Sequence, residues 1–288
     1  MAEAAGFSWR GLLSARRGSG PLVAGIVNAT PDSFSDGKGF VDPAERVAFA
    51  LQLLDEGADL LDIGAESTRP GAMEVDPVEE WRRLEKVLSG ILNARPDTVI
   101  SIDTRHALTA EKALQAGVKI INDVSGLEFD PAMKDCIARY GAGAILTHST
   151  AIPELMQQNS YCLEQHTLET VACGLNAIVA TALDAGIAEK KLMLDVGIGF
   201  GKSRAGNYEL LHNAAWFESS FKLPFCWGVS RKSLLKSEPD TMAKRIAGSL
   251  ALAIKLAEQR VSLLRVHDVA ATIAALTAAQ AMEEPANA

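Results

Sequence analysis

Residues 43–64 read PAERVAFALQLLDEGADLLDIG, and the change of rhythm inside this stretch decides the fold class. Over 43–58 the apolar residues return at three- and four-residue spacing, as in a helix with one buried stripe, and Gly57 supplies a stop near the end. Over 58–64 that spacing vanishes. ADLLDIG sets its apolar residues nearly side by side, which suits a short strand covered on both faces. A helix that runs straight into a doubly covered strand is half of a βαβ unit.

Outward from this stretch the same unit recurs. Eight short apolar runs punctuate the chain: LVAGIVN (22–28), ADLLDIG (58–64), TVISIDT (98–104), KIINDV (119–124), GAILTHS (143–149), KLMLDVG (191–197), PFCWGVS (224–230) and SLLRVHD (262–268). Amphipathic stretches such as TAEKALQAG (109–117) lie between them, and no linker rich in Pro, Gly or Ser divides the series. The pattern is (βα) repeated eight times. It predicts an α/β fold, a single closed (β/α)8 barrel over residues 21–280, with an open sheet of eight parallel strands as the alternative. Residues 1–20 are read as a flexible leader and 281–288 as a frayed tail. In a barrel the chemistry gathers at the C-terminal mouth, where the βα loops converge.

Bulk properties narrow the function. A formal net charge of -8 argues against a general binder of nucleic acid or anionic membrane, both of which demand a basic face. No run approaches the roughly 20 apolar residues that span a bilayer, so no membrane association is expected. Cys136, Cys162, Cys173 and Cys226 show no CxxC spacing, so neither a zinc site nor a disulfide framework is expected, and reduced thiols fit a cytoplasmic location.

The ends of the runs carry the chemistry. They hold Asn28, Asp62, Asp103, Asn122 with Asp123, His148, Asp195, Ser230-Arg231-Lys232-Ser233, and Arg265 with His267. One buried Asp or Asn is usually a satisfied structural residue. Eight converging polar ends require a polar ligand, because charges are costly where water is scarce. Asp103, Asn122 and Asp195 supply carboxylates and an amide, suited to a flat heterocycle with an amidine-like edge of N–H donors. Arg69, Arg231, Lys232, Arg265 and His267, with Asn28, gather donors inside an acidic protein and suit a phosphate or diphosphate. Gly197-Ile198-Gly199-Phe200-Gly201-Lys202-Ser203 looks like a phosphate loop, but a Walker A motif needs Gly where Val196 stands. A turn that lets backbone hug a ligand while Phe200 packs on its ring is the better reading. His148 receives no catalytic role, since no nucleophile accompanies it.

NATPDSFSDG, ESTRPG, SIDT, IIND, LDVGIGFGK, GVSRKS and RVHD occur in this order, and over about residues 20 to 280 the chain resembles the dihydropteroate synthase family. The resemblance implies a TIM barrel that joins 6-hydroxymethyl-7,8-dihydropterin diphosphate to p-aminobenzoate, releasing diphosphate and forming 7,8-dihydropteroate in folate biosynthesis. Sulfonamides would compete with p-aminobenzoate. It further implies pterin binding by Asp103, Asn122, Asp195, Lys232 and Arg265, and diphosphate binding by Asn28, Arg69, Arg265 and His267, with Asn28 also holding Mg2+. Thr68, Pro70, Phe200, Lys232 and Ser233 would line the p-aminobenzoate pocket, under a lid containing Pro31, Asp32, Ser33 and Phe34. A homodimer is implied as well.

The chain departs from the family at Val196, where Pro is usual, at Thr147 and Ser149, where Met is usual, at Leu234-Leu235-Lys236, and at Ala65 in place of a second Gly. These departures motivate an alternative, a non-catalytic or shifted-activity pterin-binding paralogue. A pterin-dependent methyltransferase is a further alternative, but it has no use for SRKS or ESTRPG and would need a cobalamin partner.

Overall fold

The computed structural model describes residues 7–15, 20–29, 42–67, 74–150 and 166–283. Eight strands, β1 (Leu22–Asn28), β2 (Leu60–Gly64), β3 (Ile100–Asp103), β4 (Ile120–Asp123), β5 (Gly143–Thr147), β6 (Leu192–Asp195), β7 (Phe225–Trp227) and β8 (Leu263–Val266), close into one parallel barrel in sequence order. Closure is set by β8 pairing with β1, from Leu22 opposite Leu263 to Gly25 opposite Val266, which excludes the open sheet. The helices are α1 (Trp9–Ala15), α2 (Pro43–Asp55), α3 (Pro77–Ala94), α4 (Ala107–Gln115), α5 (Met133–Tyr140), α6 (Thr167–Asp184), α7 (Arg204–His212), α8 (Ala214–Phe221), α9 (Met242–Glu258) and α10 (Val269–Glu283).

Local chemistry starts these helices where the sequence places the signals. Asp42 caps α2 by accepting from Ala44 N, and Asp76 caps α3 by accepting from Val78 N and Glu79 N, each just ahead of a Pro at the first helical position. The apolar stripes of the helices then meet the outer faces of the strands in one large core that includes Leu53, Leu61, Ile63, Leu84 and Ile102.

Strand side chains alternate between that outer core and the lumen, and the lumen is layered. Leu60, Ile120, Ile145, Met193, Cys226 and Leu263 form a second apolar cluster with Leu22, Ala24 and Trp9. Two residues further along those strands stand Asp62, Asn122, Thr147, Asp195 and Arg265, and Asp103 stands two beyond Ser101. An apolar floor thus lies beneath a polar layer at the C-terminal mouth.

The floor is sealed by part of the expected leader. Trp9 is 1% exposed and its Nε1 donates to Lys191 O at 2.9 Å, at the entry to β6. Phe7 meets the Trp9 ring edge-on, with centroids 5.0 Å apart. A Cβ on Gly143, the first residue of β5, would lie 2.3 Å from Phe7 Cε1, so the ring occupies the space a side chain would need. The expectation of a flexible leader therefore fails for residues 7–15, which plug the N-terminal face. At the other end α10 continues through Glu283, so residues 281–283 of the expected frayed tail are helical, while 284–288 lie outside the described residues.

Candidate functional site

At the mouth, one guanidinium bridges two carboxylates. Arg265 donates through Nε to Asp62 Oδ2 and through Nη2 to Asp103 Oδ2 at 2.6 Å. Asn122 Nδ2 lies 3.3 and 3.2 Å from the two oxygens of Asp62, which extends the chain of contacts across β8, β2, β3 and β4. Asp103 Oδ1 is buried and meets no donor among the described residues. Such an orphan acceptor costs about 1–3 kcal/mol until an N–H reaches it. Burial pushes the Asp103 carboxyl up to about 7, with Arg265 pulling it back and Asp62 adding repulsion. Asp62 was visible in the sequence as a polar strand end but stood outside the expected pterin set, because nothing local pairs it with Arg265.

The second part of the site is the turn after β6. Asp195 Oδ1 accepts from Gly197 N at 2.7 Å, and burial raises its carboxyl against the opposing pull of Lys232. Lys232 donates Nζ to Ile198 O and stands 4.9 Å from the centre of the Phe200 ring, its ammonium lowered to about 8 by burial and supported by Asp195. Asp195, Phe200 and Lys232 therefore form one cluster beside the acid–guanidinium chain. Ser233 is exposed and opens a short 3-10 turn, Ser233–Leu235.

Lys202 explains why this turn imitates a phosphate loop. Its Nζ donates to His148 O at 3.0 Å, Gly197 O at 3.0 Å and Phe200 O at 2.9 Å. An ammonium has three donors, and all three are spent on carbonyls. Lys202 thus ties the turn to the end of β5 and is not a phosphate ligand. Gly197 is obligatory: its φ is +70°, and a Cβ there would lie 2.0 Å from His148 O. His148 is buried against Gly174, with its imidazole lowered to about 3 by burial and Lys202, so it serves packing.

On the remaining arc, Asn28 ends β1 opposite Gly64, and its side chain makes no hydrogen bond among the described residues. His267 follows β8 with its Nδ1 3.0 Å from Ser230 Oγ. Arg231 departs from the expectation that it joins the anion donors. Its fork closes on Asp268, with Nε 3.0 Å from Oδ2, in a backbone conformation of φ +57° that its N–H stabilises by donating to Ser249 Oγ at 2.9 Å. Thr68, Arg69 and Pro70, and the lid residues Pro31, Asp32, Ser33 and Phe34, lie outside the described residues.

The arrangement interleaves acceptors and cations in one mouth, with Arg265 between Asp62 and Asp103 and Lys232 beside Asp195. Among the described residues no group of three or more His, Cys, Asp or Glu could hold a metal ion. No helix among them is long and apolar enough to cross a membrane.

Known proteins share both sequence and shape. A family described as pterin binding enzyme matches residues 24–267. The chain is 42% identical over 267 residues to a dihydropteroate synthase of Neisseria meningitidis serogroup C, covering 91% of this chain and 93% of that protein. It is 41% identical to a probable bifunctional folylpolyglutamate synthase/dihydropteroate synthase of Haloferax volcanii, of which it spans 31%. Its fold is similar to that of a Yersinia pestis dihydropteroate synthase in complex with a sulfonamide drug, with TM-score 0.86 at 36% identity over 92% of this chain and 95% of the other. A Xanthomonas albilineans dihydropteroate synthase with 4-aminobenzoic acid gives TM-score 0.82 at 37% identity, over 92% and 94%.

Proposed function

The chain belongs to the pterin-binding enzyme family, and from that premise we propose that it acts as a dihydropteroate synthase, a transferase of folate synthesis that joins 6-hydroxymethyl-7,8-dihydropterin diphosphate to p-aminobenzoate. The observation that carries this reading is the polar top layer of the lumen, where Asp62, Asp103, Asn122, Asp195, Lys232 and Arg265 meet in one mouth above an apolar floor.

In this reading the N–H edge of the pterin pairs with Asp103, Asn122 and Asp195, while Lys232 reaches the ring. The orphaned Oδ1 of Asp103 supports that assignment, because it is an acceptor already stripped of water. Phe200, Lys232 and Ser233 take the p-aminobenzoate, a role assigned from the sequence to Thr68 and Pro70 as well, with Pro31, Asp32, Ser33 and Phe34 assigned to covering the substrates. Sulfonamides compete there. Asn28, Arg69, Arg265 and His267 take the diphosphate. Arg265 also carries its two carboxylates, so it is oriented before substrate arrives.

The C–O bond breaks first, diphosphate leaving with the electron pair, because the electron-rich dihydropterin delocalises the cation left on the methylene. The amine of p-aminobenzoate then forms the C–N bond and sheds a proton. Asn28, Arg265 and His267 hold the departing charge, and closure over the substrates keeps water from capturing the cation. Asn28 offers a single oxygen, which fits a Mg2+ ion that keeps most of its coordination for substrate phosphate and water and does not fit a resident all-protein site. Magnesium bound there supplies neutralisation of the leaving diphosphate. A cytoplasmic homodimer belongs to the same reading.

Turnover tests it. Purified protein incubated with the pterin diphosphate, p-aminobenzoate and Mg2+ is expected to yield 7,8-dihydropteroate and diphosphate in equal amounts. Tight pterin binding with no pteroate formed would leave a binding paralogue in place of an enzyme.

A further inference from the structure

Ser230 and Arg231 follow β7, His267 and Asp268 follow β8, and the two dipeptides are joined rung by rung. Arg231 forks onto Asp268, and Ser230 Oγ meets both the backbone N–H of His267, at 3.1 Å, and its Nδ1, at 3.0 Å. Ser230 is 6% exposed, and among the described residues those two contacts are all that its hydroxyl makes. A hydroxyl carries one proton and two lone pairs. One lone pair takes the His267 backbone N–H, which leaves the proton to be matched. If Nδ1 carried a hydrogen, Oγ would accept twice and its own proton would be buried without an acceptor, a loss that native interiors avoid. The bonding closes only when Nδ1 accepts from Ser230.

We propose that Ser230 is a positioning residue that locks His267 as its Nε2–H tautomer and fixes its ring, so that the proton sits on the nitrogen that would meet the diphosphate oxygens; this rests on the diphosphate reading of His267. The support beneath the lock is rigid. Ser249 Oγ, which donates to Arg245 O at 2.7 Å, accepts from Arg231 N and so pins the residue after Ser230. Asp268 O accepts from Thr272 N and Oγ1 at 2.9 and 2.7 Å, which pins the residue after His267 to the first turn of α10. The arrangement leaves the ring little freedom to flip or rotate without breaking the Ser230 contact.

Long-range proton–nitrogen NMR spectra of the histidine-labelled full chain, with His267 assigned by its loss in His267→Gln, read the tautomer directly. Near neutral pH the expected result is a pyridine-type Nδ1 and a pyrrole-type Nε2 for His267. Ser230→Ala is expected to give mixed tautomers and about tenfold weaker binding of diphosphate with Mg2+, the worth of roughly one hydrogen bond, and Ser230→Thr to restore both. A protonated Nδ1 in the unaltered protein, or an unchanged tautomer in Ser230→Ala, would overturn the proposal. A His267 signal that shows Nε2–H yet does not respond to diphosphate would leave the Ser230 lock standing and remove His267 from the diphosphate site.

Discussion

Arg265 faces two carboxylates with one positive charge, and that imbalance sets the chemistry of the mouth. Removing Asp62 leaves the guanidinium on Asp103 alone and takes away the acceptor facing Asn122 Nδ2. Breaking a buried pair costs 3–5 kcal/mol, but the Arg265 side chain is 21% exposed and water recovers part of it, so Asp62→Ala is expected to destabilise by about 2–3 kcal/mol in urea denaturation. Asp62→Asn keeps an oxygen in place and should lose less. A loss no larger than that of an exposed ion pair would mean that Asp62 does not hold Arg265 in solution. The same scale shows why residue type alone misleads. Lys202 follows a glycine turn and Arg231 a strand end, as anion binders do, yet each spends its donors on the protein itself.

Helix α1 is the element whose role is least expected, since it stands seven residues long ahead of the first strand and closes the barrel opposite the mouth. Trp9→Ala empties a site under the apolar floor and is expected to cost about 3–5 kcal/mol. Gly143→Ala drives a Cβ into the Phe7 ring, and pairing it with Phe7→Ala should recover much of the loss, so the two changes will be strongly non-additive in a double-mutant cycle. Because this face is remote from the polar layer, kcat measured below the lowered Tm should remain near that of the unaltered protein. Turnover that falls along with stability would contradict the separation of floor from mouth. The turn after β6 behaves as a second such element: Lys202 and the bond from Gly199 N to Asn207 Oδ1, at 2.6 Å, brace it from opposite sides.

For the whole molecule, burial of carboxyls determines how stability responds to pH. Glu80 and Glu218 are each pushed by burial from the ordinary 4.5 up to about 7. Between those values the folded chain holds protons on these two groups that the unfolded chain has released, so their contribution to stability falls as pH rises from about 4.5 to about 7 and is constant above. Glu66 acts oppositely. Although burial alone would raise it, hydrogen bonds from His106 and Arg105 bring it to about 2, so its contribution is present above about 4.5 and is lost as pH falls toward 2. Glu80→Gln removes one buried charge and is expected to stabilise the protein at pH 8 more than at pH 5, by up to about 3 kcal/mol, as read from urea midpoints at the two pH values. Equal effects at both would show that Glu80 ionises at its ordinary value.

The barrel was legible in the amino-acid order because its evidence is local. Continuous apolar runs, helical spacing and stop signals each lie within a few residues, and the polar residues that end the runs, Asp103, Asn122, Asp195 and Arg265 among them, are found at the mouth. Tertiary structure alone decided which donor meets which acceptor. Arg265 and Asp62 are 203 residues apart, Trp9 and Lys191 are 182 apart, and Ser230 and His267 face each other only because β7 and β8 are neighbours in a closed ring. Periodicity records which side of an element is buried, whereas a hydrogen bond depends on the register and closure of strands distant in the chain, and that information exists only after the ring has formed.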